Sequence, residues 1–175
     1  MPDTTQIRSL QTVDDREIHG LSDVLIDCVE GGASVGFMLP MSCAKAEAYW
    51  RSTAASVTRG ERVVLAAEDA AGTIVGTVQV MWSQFENQPH RGDIAKMLVH
   101  RRARRQGVGA ALLAAAEQTA LGADKTLLVL DTASGDAERL YARQGWQRCG
   151  QIPGYALWPD GTPCASTIFF KFLCG

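Results

Sequence analysis

The stretch that decides the fold is RRARRQGVG, at Arg101–Gly109. It lies between a mostly apolar run typical of a strand and an alanine-rich run typical of a helix. The free N–H groups and the positive dipole end of a helix N-terminus favour an anion. Glycine lets a phosphate approach the backbone closely, and guanidinium groups add charge-assisted hydrogen bonds. The stretch therefore predicts a pyrophosphate-binding turn that opens a helix.

The residues after the glycines distinguish between nucleotide-binding motifs. A Walker loop requires Gly-Lys-Ser/Thr, but Ala110–Ala111 follow Gly109. A dinucleotide fingerprint requires a third glycine, and Leu112 stands there instead. The pattern Arg/Gln-x-x-Gly-x-Gly/Ala is present, starting at Arg104 and ending at Gly109. In this motif the chain resembles the GNAT superfamily of acyl-CoA-dependent N-acyltransferases, in which this loop holds pyrophosphate.

The order of predicted elements along the chain agrees with that resemblance. Periodicity and turn signals predict a strand, two helices, three strands, a helix, a strand, a helix and two strands. We therefore predict one domain over residues 1–175, of α/β class, with a GNAT-type mixed central sheet of about seven strands flanked by about four helices. The predicted strands lie at 7–10, 63–67, 74–82, 93–99, 126–132, 146–152 and 167–173, and the helices at 14–30, 42–58, 110–121 and 137–144.

Composition excludes several classes of function. A net charge of −2 argues against general nucleic-acid binding, so the arginines form a local patch. Apolar runs are too short to span a bilayer and the start lacks a signal peptide, which predicts a cytoplasmic protein without a membrane partner. The five cysteines and three histidines show no metal-ligand spacing, so we expect no metal. The sequence is compatible with a homodimer and does not determine the oligomeric state.

The resemblance is closer to one subgroup, the tabtoxin-resistance acetyltransferases. It rests on Gly31–Met38, Leu130–Thr132, Pro153–Tyr155, Pro159–Gly161 and Phe170–Lys171. It implies an N-acetyltransferase that uses acetyl-CoA as co-substrate and acts on a small amine, such as an amino-acid-like β-lactam toxin. Two alternatives stay open: an acetyltransferase for a protein N-terminus, lysine or polyamine, and a non-catalytic acyl-CoA-binding regulator. Thiol release with a panel of amines would separate the three.

The same resemblance implies how acetyl-CoA is held. The backbone of Met97, Leu98 and Val99 would pair with the pantetheine arm, as a ligand strand pairs with a sheet edge. Ser134 stands where many family members have asparagine, and its hydroxyl could bond the same arm. The phosphates would meet Arg104, Arg105, Gln106, Gly107, Val108, Gly109 and Ala110.

Three residues are candidates for the chemistry. Tyr141, in a helix followed by Gly145 and Trp146, matches the family position that protonates the departing thiolate; its alternative is a tyrosine packed in the core. Asp93 and Asp131, at opposite ends of neighbouring strands, are alternative bases for the acceptor amine. If both line one cleft, they could instead attract a cationic substrate.

The walls of the acceptor pocket are less well defined by sequence. The glycine-rich, apolar run at 31–38 is either a pocket wall or a packed connector. Trp82, Phe85, Tyr155 and Trp158 could form aromatic walls, although core packing explains Trp82 equally well.

Overall fold

The computed structural model describes residues 5–174, which form seven strands and four helices. A 3-10 turn at Arg101–Ala103 precedes the third helix. The strands are β1 (Gln6–Leu10), β2 (Arg62–Glu68), β3 (Ile74–Trp82), β4 (Arg91–Val99), β5 (Leu127–Thr132), β6 (Gln147–Leu157) and β7 (Pro163–Phe172), and the helices are α1 (Asp15–Glu30), α2 (Cys43–Thr58), α3 (Val108–Gly122) and α4 (Gly135–Arg143).

The strands form one mixed sheet in the order β1-β2-β3-β4-β5-β7-β6. Every neighbouring pair is antiparallel except β4 and β5, which are parallel. A parallel pair requires a crossover, and α3 provides it between β4 and β5. The predicted fold class is therefore confirmed.

The helices cover both faces of the sheet and bury two clusters of apolar side chains. On one face, α1 and α2 pack on the sheet through residues such as Leu25 and Trp50, which are fully buried. On the other face, Leu112 and Leu113 of α3 join Tyr141 of α4 against strands β3, β4 and β5. The sheet thus separates an α1/α2 side from an α3/α4 side.

Local capping signals position the helices as the sequence predicts. Asp14 accepts a hydrogen bond from the Glu17 N–H, and the Glu17 side chain accepts one from the Asp14 N–H, which completes a capping box at α1. The Ser42 hydroxyl caps α2 by accepting a hydrogen bond from the Lys45 N–H. At the other end of α1 the Gly31 N–H donates to the Asp27 carbonyl, so residues 31–42 leave α1 at Gly31 and enter α2 at the Ser42 cap.

The prediction for the last two strands is wrong in length. β6 continues to Leu157 and β7 begins at Pro163, so that only a short turn separates them. Pro153 and Gly154 favour a loop by sequence, but the β6–β7 register shifts between Ile152 and Ala156, and this bulge accommodates both residues. The hairpin therefore extends beyond the sheet edge toward the segment at 31–42.

Candidate active site

A gap opens between the two parallel strands at the centre of the sheet. β4 and β5 pair only from Arg91 with Leu127 to Asp93 with Val129. Beyond Asp93, β4 continues to Val99 while its only strand partner is β3. The β5-facing edge of β4 from Ile94 onward is therefore available to an extended ligand.

A bulge sits in the middle of this open edge. The β3–β4 register shifts between Thr77 and Gln79, and Lys96 of β4 has a φ of 48°, in the left-handed region. A bulge bends a strand and redirects its side chains. Here it turns β4 away from β5 and brings Lys96 onto the α1/α2 side, against Phe37 and Tyr49.

The backbone of Met97, Leu98 and Val99 follows the bulge. The His100 N–H bonds to the Val75 carbonyl of β3, and alternation along a strand then directs the Val99 backbone groups to the opposite, open edge. The Val99 carbonyl accepts hydrogen bonds there from Arg104 Nε at 3.1 Å and from the Cys28 thiol at 3.6 Å. The predicted pairing of these residues with pantetheine stays a prediction, and it would place the ligand beside these groups.

The open edge leads directly to the N-terminus of α3. Gly107 is its N-cap residue, with a φ of 82°, and it provides no side-chain cap. Side chains cap the other three helices, at Asp14, Ser42 and Ser134. The first-turn N–H groups of α3 therefore point out of the helix without a capping acceptor, as an anion site requires.

The arginines before α3 differ in their surroundings. Arg101 donates through Nε to Asp27 at 2.9 Å, and its backbone N–H donates to the same carboxylate. The pKa of Asp27 is lowered because these hydrogen bonds and the nearby charges outweigh its desolvation. Arg104 lies against Val99 and Cys28, whereas Arg105 is exposed with a φ of 61°. Arg101 therefore anchors the turn to α1, and Arg105 points to solvent.

The remaining donor-site candidates lie around the same turn. Gln106 donates to the Arg102 carbonyl, and Val108 is buried in the core. Gly109 faces α4, where a Cβ would lie 3.2 Å from Leu140. Ala110 is half-buried in the first turn of α3. Their contacts with phosphate stay predictions.

Tyr141 lies on α4 and is buried. Its ring packs on Trp146 and Phe169, with centroids 5.9 Å and 5.7 Å apart. Burial, with a smaller contribution from the charge of Asp131, raises the pKa of the Tyr141 phenol well above its usual value. The phenol therefore stays protonated throughout the neutral range, as a general acid must.

The two carboxylates face the same side of the sheet. Asp93 pairs with Val129 across the parallel strands, and Asp131 follows Val129 by two residues, so alternation directs both side chains to one face. Asp93 Oδ1 lies 2.8 Å from Arg91 Nη1, and desolvation raises the pKa of Asp93 although Arg91 opposes this. Asp131 accepts a hydrogen bond from the Ser166 hydroxyl at 2.7 Å. Both lie where the gap begins.

Ser134 is the N-cap of α4. Its hydroxyl accepts a hydrogen bond from the Ala137 N–H at 3.3 Å. This is the ordinary role of a serine at a helix start. A contact with pantetheine would have to share this hydroxyl and stays a prediction.

Lys96 is a site residue that the sequence did not reveal. Its ammonium lies 5.8 Å from the Phe37 ring centroid and 5.5 Å from that of Tyr49. The two rings meet edge to face at 5.2 Å. A single lysine in an apolar strand does not predict that its ammonium will lie against two aromatic rings. This environment arises from the bulge and from two residues that are distant in the sequence.

The segment at 31–42 lies across the end of β5. Its Gly36 and Phe37 approach Lys96 of β4. Farther along, the Ser34 hydroxyl donates to the Leu157 carbonyl, and the Leu39 N–H donates to the Pro159 carbonyl of the β6–β7 turn. Since β5 lies between β4 and β7 in the sheet, these contacts make the segment a cover over the gap on the α1/α2 side.

The predicted aromatic walls only partly coincide with this geometry. Trp82 packs against the core on the α3/α4 side, with Lys125 over its ring at 5.4 Å. Phe85 and Tyr155 are exposed, and Trp158 lies in the β6–β7 turn, beside Pro159. The rings that lie against Lys96 at the bulge are Phe37 and Tyr49.

No cluster of three or more His, Cys, Asp or Glu residues within residues 5–174 has a geometry that would hold a metal ion. No helix in the same range has the length and apolar character needed to cross a membrane.

The pattern of residues 59–148 matches the family model of the acetyltransferase (GNAT) domain, over just more than half of the chain. The chain belongs to the GNAT acetyltransferases. The matched part runs from the end of α2 through α4 and contains the open edge of β4 and the uncapped turn of α3. As a member of this family, the protein is an acetyl-CoA-dependent N-acetyltransferase.

Solved structures share this fold at low sequence identity. A phosphinothricin acetyltransferase from Sinorhizobium meliloti, in complex with acetyl-CoA, is 16% identical with a TM-score of 0.79, over 99% of this chain and 89% of that one. A ribosomal-protein-alanine N-acetyltransferase from Brucella melitensis is 22% identical with a TM-score of 0.77, over 96% and 99%. An N-acetyltransferase from Staphylococcus aureus is 15% identical with a TM-score of 0.80, over 98% and 99%. These likenesses confirm the fold.

Proposed function

We propose that the protein transfers the acetyl group of acetyl-CoA to the amine of a small, amino-acid-like molecule, as the tabtoxin-resistance acetyltransferases do with a β-lactam toxin. The observation that carries this proposal is the gap between β4 and β5, which ends at the uncapped N-terminus of α3. Pantetheine would lie along Met97–Val99 and the pyrophosphate at Arg104–Ala110. The acetyl group would then lie near the bulge, between Tyr141 and the two carboxylates.

The acetyl transfer needs three proton movements. An alkylamine has a pKa of about 10, so the acceptor must lose a proton before its nitrogen attacks the thioester carbon. Asp93 or Asp131 would take that proton, directly or through water. The neutral amine attacks the thioester carbon and forms the C–N bond, and as the C–S bond breaks the leaving thiolate would take the Tyr141 phenolic proton. The nitrogen, now positively charged, would release its second proton to the Tyr141 phenolate, which regenerates the phenol. Orientation of both substrates in the gap supplies much of the remaining rate enhancement.

The cover over the gap favours a small acceptor over a protein. The segment at 31–42 contacts both Lys96 of β4 and Leu157 at the end of β6, so it spans the gap on the side where the acceptor would bind. A protein N-terminus or a lysine on a protein needs an open groove for the attached chain. The names of two enzymes with this fold, a phosphinothricin acetyltransferase and a ribosomal-protein-alanine acetyltransferase, illustrate a small-molecule acceptor and a protein acceptor. The contacts of the segment at 31–42 support a small-molecule acceptor for this protein.

Thiol release from acetyl-CoA in the presence of single amines tests this proposal. Release with amino acids and other small amines, and none with peptides that offer the same amine at their N-terminus, is the expected result. Release with peptides at equal or greater kcat/KM would overturn the small-molecule assignment. Binding of acetyl-CoA without release by any amine would support the non-catalytic alternative.

The base can be identified from the pH dependence of Asp93→Asn. If Asp93 takes the amine proton, wild-type kcat/KM rises as pH increases through the Asp93 pKa, which desolvation has raised, because only the carboxylate can accept a proton. Asparagine cannot accept the amine proton, so the rise of kcat/KM through this pKa should be missing in the variant. Activity should recover partly at high pH, where more of the amine is neutral.

Asp131→Asn is the companion variant for this experiment. If Asp93 only attracts a cationic acceptor, Asp93→Asn should raise KM and leave kcat nearly unchanged. If Asp93→Asn has wild-type kinetics at every pH and Asp131→Asn lacks the rise of kcat/KM with pH, Asp131 is the base.

A further inference from the structure

Lys96 differs from the other lysines in residues 5–174 in what its ammonium contacts. Lys45 donates to the Met38 carbonyl, Lys125 to the Pro89 carbonyl, and Lys171 to Glu117 and a carbonyl. The Lys96 ammonium forms no hydrogen bond or ion pair with any described residue. It is half-buried and faces two aromatic rings, which attract a cation but accept no conventional hydrogen bond.

This arrangement leaves the Lys96 cation incompletely compensated. Burial lowers the pKa of Lys96, Asp131 partly opposes this, and the Arg62 charge adds to it. An ammonium with three donors in such a place gains most from an anion that brings both a hydrogen-bond acceptor and an opposite charge. Arg62 differs in that its Nε and Nη1 already donate to protein acceptors, Ser56 and Gln79.

A chain of buried polar contacts fixes the rings around Lys96. The Arg62 guanidinium donates to Gln79 Oε1 at 2.8 Å, and Gln79 Nε2 donates to the Tyr49 hydroxyl at 2.9 Å. Gln79 is fully buried on the strand beside β4. Tyr49 therefore has one orientation against Lys96, so that the ammonium is positioned before any acceptor arrives.

We propose that Lys96 binds the carboxylate of the acceptor, so that the acceptor is an α-amino acid or a derivative with a free α-carboxylate. The inference rests on the proposed function and specifies its substrate class. In an α-amino acid the amine and the carboxylate share one carbon, so a site for it needs a cation and a proton acceptor side by side. Lys96 and Asp131 provide this pair: they follow the last β4–β5 pair, Asp93 with Val129, by three and two residues, and both side chains lie on the α1/α2 side of the gap.

The experiment compares each common α-amino acid with its carboxamide as acceptor, in wild type and in Lys96→Met. Methionine keeps the unbranched stem of lysine between the rings and removes the charge. We expect wild type to favour the amino acid over the carboxamide by at least about tenfold in kcat/KM, because a hydrogen bond to a charged group is lost in the carboxamide. In Lys96→Met the preference should fall to near unity, because the KM for the amino acid should rise much more than the KM for the carboxamide.

Lys45→Met is the matched control. The Lys45 ammonium lies 5.8 Å from the same Phe37 ring, as does that of Lys96, but it is exposed and already has the Met38 carbonyl as an acceptor. This variant should keep the wild-type preference. Equal rates for acids and carboxamides in wild type, or an undiminished preference in Lys96→Met, would overturn the inference while leaving the proposed small-amine activity intact.

Calorimetric titration of amino acids into the CoA-loaded protein tests carboxylate binding by Lys96 without turnover. An amino acid that binds wild type at least about tenfold more tightly than it binds Lys96→Met supports the inference. Equal binding to both proteins, or no binding of any amino acid to wild type, overturns it. Failure of every amine to release thiol would instead reject the proposed function, so the two failures are distinguishable.

Discussion

We expect Tyr141→Phe to lower kcat about 10²-fold and to leave the affinity for acetyl-CoA unchanged. Phenylalanine keeps the ring that packs between Trp146 and Phe169, so the core stays filled. It removes the hydroxyl that we propose protonates the leaving thiolate. Because burial and Asp131 raise the phenol pKa, wild-type activity should not fall with pH in the range where an ordinary tyrosine ionises. Steady-state kinetics and calorimetry measure the two quantities.

Tyr155→Phe is the control for this substitution. Tyr155 is an exposed tyrosine on β6, and the loss of its hydroxyl should leave kcat at the wild-type value. An unchanged kcat in Tyr141→Phe would mean that solvent protonates the thiolate and that Tyr141 is a packing residue. A lower free energy of unfolding with normal kcat would lead to the same conclusion.

The second large effect concerns Gly107→Val, for which we expect acetyl-CoA affinity to fall at least about 10²-fold. The side chain would stand where a phosphate must approach the N–H groups of α3, and each lost hydrogen bond to a charged group is worth about 1.5–3 kcal/mol. A Cβ at Gly107 meets no protein atom within 4 Å, so the folded core is undisturbed. Its φ of 82° adds a backbone strain of about 1–2 kcal/mol.

Gly60→Val separates that strain from the loss of binding. Gly60 follows α2 with a φ of 71°, and a Cβ there also meets nothing within 4 Å. Both variants should lose similar stability in urea, while only Gly107→Val loses acetyl-CoA. Gly109→Val is a poorer probe, since its Cβ would press on Leu140. Wild-type affinity in Gly107→Val would refute the phosphate assignment.

The parts that sequence predicts well are those in which local chemistry determines the structure. The capping box at Asp14 and Glu17 fixes the start of α1. Glycine at 107 marks the one helix start among those in residues 5–174 that no side chain caps. Such signals lie within a few residues of what they specify. They are therefore readable without knowledge of the tertiary fold.

The parts of the structure that the sequence does not predict depend on contacts between distant segments. Lys96 acquires its environment from a bulge, from Phe37 before α2 and from Tyr49 within it, and none of these is evident near Lys96 in the sequence. β6 was predicted too short because Pro153 and Gly154 usually interrupt strands, whereas a bulge lets β6 pair with β7 on both sides of them. Long-range pairing overrides local preference in both cases.

The hydrogen bonds that bridge the segment at 31–42 and the β6–β7 turn lie outside the part of the chain that the family model matches. The family match ends at residue 148, so it contains the strand edge and helix start assigned to the donor but neither partner of the bridge. Under the proposed function, substitutions in these two segments would change the acceptor side of the gap and leave in place the strand edge and helix start proposed for acetyl-CoA. Exchange of both segments together between relatives is thus a direct way to redirect the enzyme to another amine, because their mutual hydrogen bonds would be transferred as a unit.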